Sequence, residues 1–184
     1  MLTLDNDMKK IIAFGASNSK KSINKKFANY AATLIPNSKV ELLDLNDYVM
    51  PIYSEDIQEE YGIPELAHSF KDFLRESDGI VISFAEYNGS YTAAFKNIFD
   101  WISVIERDVW CSKPMLLLAT SPGPRGAIDV LESAHKRISH GNKNTVLCFS
   151  LPSFGKNYDE NYGILDKELL KSLQEKINSF SESI

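Results

Sequence analysis

Three polar stretches of this chain carry residues suited to holding an anion and a flat ligand, and each follows directly on an apolar run. The first, Gly15-Ala16-Ser17-Asn18-Ser19-Lys20-Lys21-Ser22-Ile23-Asn24, is rich in hydroxyls and opens a helical pattern. The free N–H groups and positive dipole end of such a helix favour an anion, and Ser17, Ser19, Ser22 and Asn24 supply further donors to phosphate oxygens. Helix capping accounts for one serine in this place; several hydroxyls together with Gly15 point to a phosphate monoester. The second stretch, Ala85-Glu86-Tyr87-Asn88-Gly89-Ser90-Tyr91, is a turn in which Asn88-Gly89 accepts φ > 0 and aims backbone N–H groups outward. The third, Thr120-Ser121-Pro122-Gly123-Pro124-Arg125-Gly126, combines rigid prolines with glycines that permit close backbone approach, a surface fit for a planar ligand, plus one cation.

Two better known phosphate signatures do not fit. GxGxxG is absent, which argues against a dinucleotide site of that type. Against GxxxxGK[ST], Gly15, Lys21 and Ser22 match, but Lys20 stands where the second glycine must wrap the phosphates. Asp100, the candidate magnesium partner, falls within a helical pattern rather than after an apolar strand; a magnesium-dependent phosphate enzyme is the third reading.

These loops need a frame, and the chain alternates strand and helix patterns throughout. Strand patterns cover Lys10–Phe14, Lys39–Leu45, Asp78–Phe84, Pro114–Thr120 and Thr145–Phe149. Helical spacing covers Asn24–Leu34, Pro64–Glu76, Thr92–Ile105, Ala127–Ser139 and Asp166–Phe180. Such repetition predicts an α/β protein with a five-stranded parallel sheet and helices on both faces, a three-layer flavodoxin-like fold in one domain over 1–184. The three polar loops then leave the carboxyl ends of strands one, three and four, where open α/β sheets bind ligands. The acidic run Ser54–Glu60 reads as a solvated loop or helical turn rather than a cation site.

Composition excludes several partners. With 20 Lys and Arg against 25 Asp and Glu, the net charge of −5 offers no basic face for nucleic acid. Met1 to Lys10 carries Asp5 and Asp7 with no apolar leader core, and no apolar run reaches the roughly 18 residues of a membrane span, so a cytoplasmic protein without membrane partner is expected. Cys111 and Cys148 are far apart and read as structural thiols, with no metal site implied. His68, His135 and His140 read as surface or packing residues, Trp101 as core, and Trp110 as a subunit contact. Tyr87 either stacks on the ligand or packs beside its loop, and Glu86 is expected to bond the protein rather than an electron-rich ring.

The motifs together resemble the NAD(P)H-dependent FMN reductase family of flavodoxin-like proteins. Gly15-Ala16-Ser17 through Ser22-Ile23-Asn24 is similar to that family's GSxRxxSxN loop. Glu86-Tyr87-Asn88-Gly89-Ser90, followed by Phe95-Lys96-Asn97 and Asp100-Trp101, is similar to its PEYNGS loop and helix, and Ser121-Pro122-Gly123 with Gly126 to its third loop. The resemblance runs from Lys10 to about Phe149 and takes in Leu45-Asn46-Asp47-Tyr48 and Pro51-Ile52-Tyr53. It departs at Ser19, where the family has arginine and Lys20 or Lys21 are the substitutes for its charge. Other departures are Ala85 in place of proline, and Thr92-Ala93 in place of Pro-Gly, a change expected to relax the loop.

The resemblance implies a noncovalent FMN, its phosphate in the first loop and its ring edge against Glu86, Tyr87, Asn88, Gly89 and Ser90. The segment Ser121, Pro122, Gly123, Arg125 and Gly126 would flank the ribityl chain or ring, with Arg125 toward the phosphates of NAD(P)H as co-substrate. It further implies hydride transfer from the nicotinamide to flavin N5 in a ping-pong scheme, a small-molecule electron acceptor, no catalytic side chain, and a homodimer or homotetramer. Free flavin, quinones, azo or nitro compounds and metal ions all stay open as acceptors, and NADH and NADPH are not distinguished. The competing reading is a flavodoxin-like electron carrier without NAD(P)H oxidation.

Overall fold

Apolar side chains occupy both faces of every central strand, and this decides the layering. The computed structural model describes residues 8–184. Most of the leader reading, with Asp5 and Asp7, lies outside them. In chain order the elements are β1 (Lys9–Ala16), α1 (Ile23–Thr33), β2 (Ser38–Leu43), a 3-10 turn (Leu45–Tyr48), α2 (Glu55–Tyr61), α3 (Glu65–Glu76), β3 (Gly79–Phe84) and α4 (Ala93–Ser103). There follow β4 (Met115–Thr120), α5 (Ile128–Gly141), β5 (Val146–Leu151), α6 (Phe154–Asn157), β6 (Tyr158–Asp159), β7 (Gly163–Ile164) and α7 (Lys167–Ser181).

Strands β2-β1-β3-β4-β5 lie side by side in that order, each pairing parallel with its neighbours. Alternate residues along each strand then separate into two cores. Ile12, Phe14, Ile80, Ile82, Met115 and Leu117 face α3, α4 and α5. Ile11, Ala13, Val81, Leu116 and Leu118 face α1 and α7. Burial on both faces explains why these strands read as unbroken apolar runs rather than alternating ones. The order reverses between β1 and β3, so the loops after those strands part to opposite sides and leave a crevice at the carboxyl edge.

The expected three-layer flavodoxin-like fold is present. Several boundaries move for local reasons. The second strand stops at Leu43 because the Asp44 carboxylate accepts from Asn46 N–H at 2.9 Å and starts the 3-10 turn. The acidic run forms α2, capped by Ser54 Oγ accepting from Ile57 N–H. Among the described residues no group of three or more His, Cys, Asp or Glu converges as a metal site. Trp110 is not exposed at a surface: it is 4% exposed and stacks on Phe95 at 6.4 Å and against Phe99 at 5.5 Å. The helical pattern to Ile105 breaks two residues early, at Ser103.

A charged side chain sits inside the apolar layer. Lys71, fully buried on α3, donates to the carbonyls of Asp108 and Val109, both at 2.6 Å, and pairs with Glu106 at 2.8 Å. The ammonium thereby fastens the α4–β4 connection to α3. That pairing holds the Glu106 carboxyl below its usual range against the opposing effect of burial, with Arg75 adding to the lowering.

Candidate functional site

The first loop begins where α1 packs against the end of β1. A Cβ at Gly15 would lie within the backbone of α1, 2.7 Å from Lys25 Cα and 2.9 Å from the Asn24 carbonyl carbon, so only glycine allows the helix start this close. Ser22 caps α1, its Oγ accepting from Lys25 N–H at 3.1 Å, and Ser17 Oγ accepts from Ser19 N–H at 3.1 Å. Both hydroxyl protons remain free to donate. The N–H groups of Ile23 and Asn24 in the first turn have no acceptor among the described residues. Capping therefore does not exhaust Ser22: its oxygen serves the helix, and its proton has no acceptor among the described residues.

The second loop is a tight two-residue turn. Asn88 and Gly89 take φ of 54° and 74°, while Tyr87 and Ser90 exchange N–H···O bonds of 3.0 and 3.1 Å. This leaves the N–H groups of Asn88 and Gly89 without acceptors among the described residues, whereas Ser90 N–H is spent on Tyr87 and is not available to a ring edge. Glu86 points back into the protein, as expected, its Oε2 accepting from Val130 N–H at 3.0 Å in the first turn of α5. Thr92 does not relax the loop. Its hydroxyl donates to Ala16 O at 2.9 Å and accepts from Phe95 N–H at 3.2 Å, capping α4 and tying the second loop to the first.

Support for the third loop comes from a segment the sequence patterns did not reveal. Ser153 N–H donates to Gly123 O at 2.9 Å and Phe154 N–H to Ser121 O at 3.0 Å, so the exit of β5 holds the loop from behind. Gly126 has φ 60° and its carbonyl accepts from Ser150 Oγ at 2.8 Å.

A cleft of about 160 Å³ gathers Ser17, Ser19, Ser22, Asn24, Glu86, Tyr87, Ser121 and Pro122 from all three loops, with Lys21, Ile23, Ala85 and Thr120 beside them. Of the two lysines offered in place of the family arginine, Lys21 lines this cleft and Lys20 does not. Tyr87 is 52% exposed at the cleft wall rather than packed away. Asn88, Gly89, Ser90, Gly123, Arg125 and Gly126 fall outside its lining. Arg125 is 71% exposed and ion-paired with Asp129 one turn along. Asn24 lines the cleft, and its side-chain amide is bonded to both strand ends there: Oδ1 accepts from Ser83 and Thr120, and Nδ2 donates to Thr120 O. Both cysteines are partly buried free thiols whose pKa burial pushes up, which disfavours the thiolate a nucleophile needs.

A parallel five-stranded sheet in this order, with a polar cleft at its carboxyl edge lined by unpaired N–H groups and hydroxyls, defines a flavodoxin-like α/β protein. Residues 9–153 match the family described as NADPH-dependent FMN reductase, and the chain belongs to that family. It is 34% identical to a 2-hydroxy-1,4-benzoquinone reductase of a Burkholderia species over 119 residues, 64% of this chain and 63% of that one. It is 29% identical to an NAD(P)H-dependent FMN reductase of Pseudomonas aeruginosa over 118 residues, 64% of this chain and 62% of that one. These two matches thus span less than two thirds of the relatives' lengths. Among solved structures, the flavoenzyme NAD(P)H:(acceptor) oxidoreductase FerB of Paracoccus denitrificans aligns with a TM-score of 0.75 at 25% identity, covering 96% of this chain and 97% of that one. An FMN-dependent NADH-azoreductase of Bacillus anthracis in complex with FMN shares the fold with a TM-score of 0.61 at 15% identity, covering 94% and 98%. Among the described residues no helix is long and apolar enough to cross a membrane.

Proposed function

We propose that this chain holds FMN noncovalently at the carboxyl edge of its sheet and uses it to oxidise NAD(P)H and reduce a small-molecule acceptor of the quinone or azo type. The observation that carries this reading is the convergence of the three loops on one cleft whose first-turn N–H groups of α1 lack acceptors. The donor set suits a phosphate monoester: N–H of Ile23 and Asn24, the hydroxyl protons of Ser17 and Ser22, and Lys21 for charge. The free N–H groups of Asn88 and Gly89 are the second loop's donors for the polar edge of an isoalloxazine ring, and Tyr87 and Pro122 are its flat walls. FMN held there would supply the redox chemistry, hydride acceptance at N5 from the nicotinamide and onward electron transfer in a ping-pong cycle. The protein's part is orientation and exclusion of water; of the two charged side chains in the lining, Lys21 serves the phosphate and Glu86 is engaged by Val130 N–H.

A second copy of the chain completes the site in this reading, as a homodimer or a pair of them, in the cytoplasm. Val49 and Ile52 are 76% and 83% exposed beside a hollow of about 200 Å³ that also takes in Asn18 of the first loop, and this apolar rim supports a covering partner.

One preparation tests the reading. Purified protein is expected to be yellow, or to take up FMN at micromolar concentration, to run as a dimer or tetramer in light scattering, and to bleach rapidly with NADPH or NADH under argon. Colourless protein that takes up no FMN overturns the site; bound flavin that stays oxidised under excess of either nucleotide overturns the reductase and leaves a carrier.

A further inference from the structure

Asn24 is 3% exposed although it belongs to the most polar loop of the rim. Its amide Oδ1 accepts from Ser83 Oγ at 2.7 Å and from Thr120 N–H at 3.1 Å, and its Nδ2 donates to Thr120 O at 3.1 Å. The pairing of β3 with β4 ends one residue earlier, at Phe84 with Ala119, because the chain turns away after Phe84 into the second loop. Thr120 therefore has a peptide N–H and C=O left over on the β3 side, at the point from which the third loop departs. The side chain of Asn24 presents one acceptor and one donor on a planar group, the same pair a strand residue would offer, and fills the missing place in the ladder. Ser83 closes the arrangement from β3. One buried amide thus joins the first turn of α1, the end of β3 and the end of β4, the three places from which the cleft is built.

We propose that the side chain of Asn24 is a positioning group: it fixes the phosphate-side loop relative to the two ring-side loops, and its amide does so without touching the phosphate. This rests on the reading of the cleft as the FMN site. Aspartate cannot replace it, since a second oxygen would face Thr120 O, and alanine leaves a buried N–H and C=O unpaired. A phosphate ligand and a positioning residue differ in what they do to riboflavin, which has the ring and ribityl chain of FMN but no phosphate. Loss of a phosphate contact weakens FMN alone; loss of loop registration weakens both.

The test is fluorescence-quenching titration of FMN and riboflavin into apoprotein, well below the melting temperature, for wild type, Asn24→Ala, Ser83→Ala and Lys21→Ala. Asn24→Ala is expected to raise both dissociation constants by about tenfold with their ratio kept. Ser83→Ala raises both by a smaller common factor, and Lys21→Ala raises that of FMN alone. If Asn24→Ala weakens FMN but not riboflavin, it is a phosphate ligand and the proposal fails; if it lowers only the melting temperature, its role is purely structural and the proposal fails. Should Asn24→Ala not fold, Ser83→Ala decides on the same criteria, because it removes one bond from the same amide. A wild-type chain that takes up neither flavin overturns the site reading, and this inference with it.

Discussion

Glu86 shows how one side chain can organise a site from behind. Its carboxylate reaches across 44 residues of sequence to the N–H of Val130, where the first turn of α5 has donors to satisfy and favours negative charge. The helix has no side-chain cap of its own, since Ala127 stands at that position in a left-handed conformation with φ 60°. Glu86→Ala is expected to destabilise the protein by about 1–2 kcal/mol, read as a lower urea midpoint at unchanged slope, while Glu86→Gln keeps an acceptor and recovers part of the loss. An unchanged midpoint in the alanine variant would mean that water caps α5 as well. That this carboxylate bonds the protein was legible in the sequence from the expectation that a negative charge would oppose the reduced form of a flavin placed beside it. Its partner was not, because nothing in Val130 or its neighbours marks one N–H as the recipient. Asn24 is the opposite case: its place in a serine-rich loop suggested phosphate, whereas the bonds of its amide to the ends of β3 and β4, a property of the assembled sheet, are what the positioning proposal rests on.

At the level of elements, α1 packs on the end of β1 with only Gly15 between their backbones. Gly15→Ala pushes a methyl group into helix backbone that has no flexible end to yield. A cost of roughly 1–3 kcal/mol is expected for such overpacking, with a melting temperature lower by several degrees and weaker FMN uptake, because the displaced turn is the one carrying the unpaired N–H groups. Alanine tolerated on both counts would show that α1 can slide without harm. The strands and longer helices were visible in sequence because burial on one or both faces writes a period into the residues. The 152–164 segment, with α6, β6 and β7, was not: it is held by backbone bonds to Ser121 and Gly123 and by packing such as Tyr30 on Tyr158, with ring centroids 5.4 Å apart, and neither leaves a period.

For the whole molecule, acid is the condition that tests the ion pairs joining separate elements. Glu106 is held low mainly by Lys71, and Asp44 mainly by Lys25. Unfolded, both carboxyls titrate at their ordinary values; folded, both titrate lower. Their contribution is therefore complete above the ordinary carboxylate range and is lost progressively as pH falls through that range and then through the lower folded values. Urea midpoints should fall across that window. In Lys71→Met, which keeps the stem's packing and removes the ammonium, the fall should be shallower; an identical slope would assign the acid sensitivity elsewhere. The same substitution lowers stability at neutral pH, since the carbonyls of Asp108 and Val109 lose their donor.

The way the β5 exit grips the third loop bears on how such a fold diversifies. Because Ser121 and Gly123 take their shape from Ser153 and Phe154, point changes within the loop are constrained by a template about thirty residues downstream. Loop and template form a transplantable pair: grafting 120–126 together with 150–157 from a relative would carry over its local contour intact, whereas grafting the loop alone would force the donor's conformation onto the host's support.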